Sequence, residues 1–269
     1  MRPEIFHIFD FGVPSYGFML ALSFLFGILI AARRAREAGL DPNAVLDLGI
    51  LIIIGVMVGS RLYYALLHPE DFPDGLLSAL NPFREGSDPA GGLVMYGGLI
   101  GGILAGFVYM RVKKISFPRY ADAMAPGIPL GVFLTRIGCF LNGCCYGKGW
   151  DGPWAVTFPP TTPPGRFQEE VHAAGLHPSQ LYESIGGLVV FVLLLTVGRR
   201  LSRWEGLQFY SVIIAYAVLR FMVELTRHFE PEEMVGPLTH NQVVCVVLFL
   251  FFGFLSVRSM ARSGAEESA

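Results

Sequence analysis

The sequence predicts an all-α membrane protein with seven transmembrane helices, its N-terminus outside, its C-terminus in the cytosol and a small cap on the outer side. Two observations carry that expectation. The 269 residues are 53% hydrophobic and only 16% charged, with a mean hydropathy of +0.51, whereas a soluble domain would carry about 25% charge. Seven apolar stretches, near 13–32, 45–67, 93–112, 120–141, 179–198, 206–226 and 237–257, each supply the roughly 20 residues needed to cross a hydrocarbon core about 30 Å thick.

The first stretch reads as an anchor and not as a cleavable signal. Glu4 and Asp10 precede it, its core is too long, and Arg33, Arg34 and Arg36 lie on its C-terminal side. After the second stretch, residues 68–92 ("HPEDFPDGLLSALNPFREGSDPAGG") are rich in Pro, Gly and acid. They read as an outer loop with one short interfacial helix at 75–80. The third stretch opens with "MYGGLIGGILAG" (95–106), whose small residues four apart suit close helix packing. Packing accounts for Gly102 and Gly106, while Gly97 and Gly98, after Tyr96 at the outer end, could also open the backbone to a ligand.

The fourth stretch is expected as one helix over 120–141. Residues 142–178 follow as an outer cap, and their "GPWAVTFPPTTPPGRF" is too proline-rich for a helix and suits extended structure. The last three spans leave a C-terminal "SGAEESA" expected to fray. With no internal repeat or low-complexity tract, residues 1–269 read as one polytopic domain.

Loop charges orient the bundle. Twelve Lys and Arg residues fall in one set of alternate loops, at 33–36, 111–119, 199–203 and 258–262, against five in the opposite set. The positive-inside rule places the first set in the cytosol. Short inner loops and elaborated outer ones put the chemistry at the outer leaflet.

The other three basic residues, Arg61, Arg136 and Arg220, fall inside or at the edge of spans, towards their outer ends. An arginine in hydrocarbon costs about 2.5–3.5 kcal/mol or more, so each should face a polar cavity or an interface. Snorkelling to the headgroups would explain one such residue more readily than three. Together they describe a cationic cavity opening outward.

Two further motifs add to it. "YAVLRFMVELTR" sets Tyr216, Arg220, Glu224 and Arg227 at steps of four, four and three, on one helix face. An Arg220–Glu224 pair is the structural explanation. A paired arginine beside an aromatic hydroxyl also suits a phosphodiester, because guanidinium binds phosphate oxygens through two parallel bonds. "HPSQLYE" (177–183) opens the fifth span: Pro178 suits a first helical turn, and Ser179, Gln180 and Glu183 offer hydrogen bonds at the lipid–water boundary. His177, taken alone, would more often be structural.

"YGFMLALSF" at 16–24, "GGLIGG" at 97–102, "RIGCFLNGCCYG" at 136–147, "HPSQLYE" and "YAVLRFMVELTR" resemble, in order and span position, the phosphatidylglycerol–prolipoprotein diacylglyceryl transferases of the bacterial inner membrane. The similarity covers about residues 13–255. It implies transfer of the diacylglyceryl group of phosphatidylglycerol to the thiol of a lipobox cysteine in a prolipoprotein signal peptide, with glycerol phosphate leaving. It also implies a multi-pass enzyme of the inner membrane with its active site towards the outer leaflet, surrounded by membrane lipids, with no nucleic-acid partner and no cofactor. By the same resemblance Arg136 and Arg220 hold the lipid phosphate, and Tyr16 and Tyr216 line the site with Tyr96. Gly138, Cys139, Asn142, Gly97, Gly98, His177, Ser179, Gln180, Glu224 and Arg61 complete the expected substrate contacts. A dry cationic pocket of that kind stabilises charge on a departing phosphate.

The sequence departs from the family's usual pattern at three places. Tyr96 stands where the family has histidine, Cys139 where it has asparagine and Cys144 where it has glutamate. A phenol with pKa about 10 is a poor base at neutral pH, and a thiol is a weaker hydrogen-bonding group than an amide. The binding frame is kept and part of the catalytic decoration is changed. Cys139, Cys144 and Cys145 lack a second ligand pair at zinc spacing, so no metal site is read from them. A disulfide from Cys139 to either neighbour and simple lining of the pocket both stay open; Cys245 reads as packing. A lipid transferase with a different acceptor and, less favoured, a membrane thiol redox protein are the alternatives.

Overall fold

Five helices are long and apolar enough to cross a membrane among the described residues, and a sixth span forms if one bent pair counts as one. They belong to a computed structural model that describes residues 2–8, 11–72, 75–81, 94–229 and 234–267. The chain divides into two compact units, one of residues 35–120 and one of residues 1–34 with 121–269.

The larger unit begins with a hairpin, β1 (Glu4–Ile8) antiparallel to β2 (Phe11–Pro14), paired as Phe6↔Val13 and His7↔Gly12. It leads into α1 (Ser15–Glu37). The bent pair is α4 (Phe117–Met124) and α5 (Gly127–Asn142), whose axes differ by 42°. One straight helix was expected here. Pro126 breaks it, because proline has no N–H to give and its ring crowds the preceding turn.

α7 (Ser179–Leu201), α8 (Leu207–Glu224) and α9 (His240–Glu267) complete the unit. The start of α8 is capped by Asp122 of α4, whose carboxylate accepts from the N–H groups of Gly206 (2.7 Å) and Phe209 (2.9 Å). Acid at a helix N-terminus satisfies orphan donors and the helix dipole together. A second hairpin, β3 (Met234–Val235) with β4 (Leu238–Thr239), precedes α9. Thr239 and Gln242 there cap each other's backbone N–H groups in a capping box. The tail expected to fray instead continues α9 as far as Glu267.

The cap expected over 142–178 contains helix, contrary to the sequence expectation. α6 (Pro163–Glu170) starts on two prolines, and Thr162 accepts from Gly165 N at 3.3 Å. Prolines are tolerated in a first turn, where the missing N–H would have no helical partner. The rest of the cap is extended, with Leu176 bridging Gly149 and Val156.

In the smaller unit, α2 (Pro42–Leu67) starts on Asp41, which accepts from Asn43 N at 2.9 Å. It packs against α3 (Met95–Lys113), the stretch expected as the third span. Their contact is backbone on backbone: a Cβ on Gly59 would lie 2.9 Å from Gly101 Cα, and one on Gly101 would lie 3.0 Å from Gly59 Cα. Small residues allow this approach without lipid-excluded side chains. A Cβ on Gly106 meets nothing closer than 3.7 Å, so the tight seam lies nearer the start of α3 than the sequence suggested. The short helix expected at 75–80 is a 3-10 turn, Leu76–Leu80. The rest of the expected outer loop, 82–92, lies outside the described residues.

The apolar side chains on α9 turn outward: Val247, Leu250, Phe254 and Val257 are each 58–63% exposed. In water such a face would be a liability, and in a bilayer it is covered by acyl chains. The chain is therefore a multi-pass membrane protein.

Candidate active site

Arg136 needs an anionic partner in its apolar helix, and Glu183 is that partner. Oε1 of Glu183 accepts from Arg136 Nη2 at 3.0 Å and from the Tyr216 hydroxyl at 3.1 Å. Its Oε2 accepts from Arg220 Nη1 at 3.2 Å. Arg220 in turn pairs with Glu224 at 2.8 Å, one helical turn away on α8. Glu224 is closed off by Asn241 Nδ2 (2.7 Å) and Thr239 Oγ1 (3.3 Å). Both glutamates are buried, and both guanidiniums keep a small exposed fraction. Two cations and two anions in alternation compensate one another, and each guanidinium retains N–H donors beyond those used.

The end of α5 shapes the second half of the site. Gly143, in the left-handed region at φ 77°, closes the helix by donating to Cys139 and Phe140. The chain then turns back, and Cys145 also takes a positive φ of 60°, which is unusual for a residue with a Cβ. As a result the sulfurs of Cys139, Cys144 and Cys145 lie within 4.8 Å of one another. All are free thiols, so neither disulfide left open by the sequence is formed. Cys139 Sγ accepts from Arg136 Nη1 at 3.8 Å, and Gln180 Nε2 holds the Cys144 carbonyl at 2.8 Å. Asn142, exposed at the helix end, reaches the Cys144 thiol.

Tyr16 and Gly138 join this cluster for a shared reason. A Cβ on Gly138 would lie 2.9 Å from Met19 Cβ and 3.2 Å from Tyr16 Cα, so the glycine lets α1 lie against α5. Tyr16 then sits within electrostatic reach of Arg136 and the three cysteines.

His177 and Ser179 hold the cap. The His177 ring stacks on Trp150 with centroids 4.4 Å apart, and its Nδ1 lies 3.1 Å from the Tyr182 hydroxyl. Burial first, and the charge of Lys148 second, push its pKa below the ordinary value. Ser179 shares a 2.7 Å hydrogen bond with Thr226, and Gly147 donates to the His177 carbonyl at 3.0 Å.

Eleven of the expected residues thus lie in the larger unit: Arg136, Arg220, Tyr16, Gly138, Cys139, Asn142, His177, Ser179, Gln180, Tyr216 and Glu224. Tyr96, Gly97, Gly98 and Arg61 belong to the smaller one. There Gly97 and Gly98 face α2, Tyr96 is 59% exposed, and Arg61 Nε donates to the Ala79 carbonyl at 3.2 Å. Glu183 and Arg227 lie within the two motifs but are given no site role by the sequence, Cys145 is read there only with the other cysteines, and Asn241 is not singled out. Glu183 carried a usable signal, since an acid within an apolar span is seldom idle. Arg227 lies past the end of α8, and its Nε is buried without a hydrogen-bond partner among the described residues.

The family model described as prolipoprotein diacylglyceryl transferase matches residues 3–258. Among curated relatives, the phosphatidylglycerol–prolipoprotein diacylglyceryl transferase of Geobacter sulfurreducens is 36% identical over 92% of this chain and 91% of its own. That of Clostridioides difficile is 32% identical over 90% and 89%. That of Methylococcus capsulatus is 34% identical over 93% and 92%.

Proposed function

The chain belongs to the prolipoprotein diacylglyceryl transferase family, and from that premise we propose that the Arg136–Glu183–Arg220 cluster is where its lipid donor reacts. The protein is a membrane transferase that moves the diacylglyceryl group of phosphatidylglycerol to a prolipoprotein. Arg136 and Arg220 direct their remaining N–H donors at the donor phosphate. Glu183 and Glu224 fix both forks in place beforehand, so little reorganisation is needed as charge grows on the leaving group. Tyr216 and Tyr16 line the same pocket. The acceptor is a lipobox cysteine, whose sulfur displaces glycerol phosphate to leave a thioether.

The reading takes the whole chain as one polytopic domain of seven spans, with α3 as the third. The N-terminus, the 68–92 loop and the 142–178 cap are outside the cytosol, in a bacterial inner membrane. The twelve-to-five distribution of basic residues supports that orientation. The contribution of Tyr96, Gly97, Gly98 and Arg61 to the donor site rests on the sequence resemblance.

The observation that carries the proposal is a carboxylate, Glu183, shared by two arginines on different helices. Its test is release of labelled glycerol phosphate from headgroup-labelled phosphatidylglycerol by the purified protein. Release should require a lipobox peptide with cysteine, and should stop when that cysteine is serine. Equal release with both peptides would overturn the assigned acceptor.

A further inference from the structure

The geometry points to Cys139, Cys144 and Cys145 as a three-thiolate site for one thiophilic divalent cation of the zinc class, whose open fourth position takes the acceptor thiol. The inference rests on the transferase reading for its substrate and on this chain's own residues for the site.

Three sulfurs lie within 4.8 Å of one another. Zinc binds thiolate at about 2.3 Å, so three thiolates around one ion stand about 3.8–4.0 Å apart. Closing the cluster needs less than about 1 Å of side-chain movement. Cys144 and Cys145 are half-buried on the turn after α5, while Cys139 is 3% exposed within that helix. The backbone is already committed to this arrangement. Gly143 and Cys145 both take positive φ, and Gln180 pins the turn at Cys144. Strain of that kind at a residue with a side chain gathers at functional sites.

Charge and coordination agree. A divalent cation with three thiolates carries a net single negative charge, and Arg136 Nη1, 3.8 Å from Cys139 Sγ, offers one of the sulfurs a charged N–H donor. Structural zinc sites close with four protein ligands, whereas catalytic ones keep three and leave a position for substrate. Among the described residues no histidine or carboxylate joins the thiol cluster.

Among the described residues, the carboxylates beside the cluster are already engaged. Glu183 is held by Arg136, Arg220 and Tyr216, and Glu224 by Arg220 and Asn241. The His177 ring stacks on Trp150 and turns its Nδ1 to the Tyr182 hydroxyl in the cap. A thiol bound to the cation loses its proton outright to water, so no protein base is required. The bound sulfur then attacks the glycerol carbon that bears the phosphate ester. A carbon–sulfur bond forms and the carbon–oxygen bond breaks, with its electron pair remaining on the phosphate oxygen. Glycerol phosphate leaves as the dianion beside Arg136 and Arg220. The product thioether is neutral and a weaker ligand, which frees the position for the next chain.

The test uses the full-length protein in detergent, reduced, with cobalt(II) as a visible stand-in for zinc. One cobalt per chain should bind with thiolate-to-metal charge-transfer absorption. That absorption should vanish in Cys144→Ser and Cys145→Ser and persist in Cys245→Ser. A cysteine lipobox peptide should alter the band, and its serine counterpart should not. Transfer by metal-free protein with intact thiols should fall at least about 10²-fold and return with zinc chloride. Bound zinc near one per chain in the purified native protein is a second measurement, independent of whether any variant folds. No charge-transfer band in the native protein, a band that survives both serine variants, or full transfer rate without metal would each overturn the inference. A band that responds to the cysteine peptide while no lipid moves, with zinc present, would sink the transferase reading and leave the cation site standing.

Discussion

Glu183 lies 3.0 Å from Arg136 and is 1% exposed, so the arginine in the apolar helix is neutralised from within the protein. Breaking a buried pair by deleting one partner costs about 3–5 kcal/mol, because the other charge is left alone. Glu183→Ala should therefore lower both thermal stability and transfer. Glu183→Gln, which keeps the shape and loses the charge, should fold better than Glu183→Ala yet transfer at least about 10²-fold more slowly. A Glu183→Gln protein with native melting and native rate would remove this residue from the account.

Arg136→Ala and Arg220→Ala should each reduce kcat/KM for phosphatidylglycerol at least about 10²-fold, since a charge-assisted contact in a dry site is worth about 2–4 kcal/mol. Lysine at either position keeps the charge and loses the fork. Arg220→Lys should recover little, because Arg220 reaches Glu183 and Glu224 with different nitrogens. Full activity in Arg220→Ala would exclude it from the mechanism.

The α2–α3 seam offers a stability test. A Cβ on Gly59 would stand 2.9 Å from Gly101 Cα, closer than real side chains approach, so Gly59→Leu must force the helices apart. Overpacking costs about 1–3 kcal/mol or more. The melting temperature of the purified protein should fall clearly for Gly59→Leu and little for Gly106→Ala, where the nearest atom is 3.7 Å away. Equal shifts in the two variants would contradict this packing.

His177 carries a pH prediction. Its lowered pKa means that the folded cap favours neutral imidazole. That contribution is fully present above the unfolded-state value of about 6.5 and is lost as pH falls through the lowered folded value. Because the ring stacks on Trp150, tryptophan fluorescence should titrate below about pH 6.5, and His177→Phe should abolish the transition. A midpoint above that value would reverse the assignment.

Topology is open to single-cysteine labelling in intact cells, on a background without native cysteines. An impermeant reagent should reach residue 160 in the cap and spare residue 115 after α3. Labelling of residue 115 alone would invert the bundle.

Five of the seven expected spans, six with the bent pair taken as one, and the paired charges are legible in the sequence because both follow short periodic rules. Arg220 and Glu224 sit four apart, and they pair. What escaped was long-range or local-exception geometry. Nothing in the spacing shows that Glu183 serves two arginines 47 and 37 positions away. The α4–α5 bend of 42° falls at Pro126, one of several prolines and glycines in this stretch, and spacing alone does not say which of them breaks the helix. α6 is hidden in the sequence because its prolines, which would break a helix interior, occupy the first turn as Pro163 and Pro164. Cys145 meets Cys139 where two backbone exceptions, Gly143 and Cys145, fold the chain back.

The central claim is transfer of a diacylglyceryl group to a cysteine sulfur, and mass spectrometry of the acceptor reads it directly. After incubation of purified protein with phosphatidylglycerol and a lipobox peptide, the peptide should gain one diacylglyceryl mass, localised by fragmentation to its cysteine. An unmodified peptide, in the presence of folded protein and intact thiols, would contradict the account.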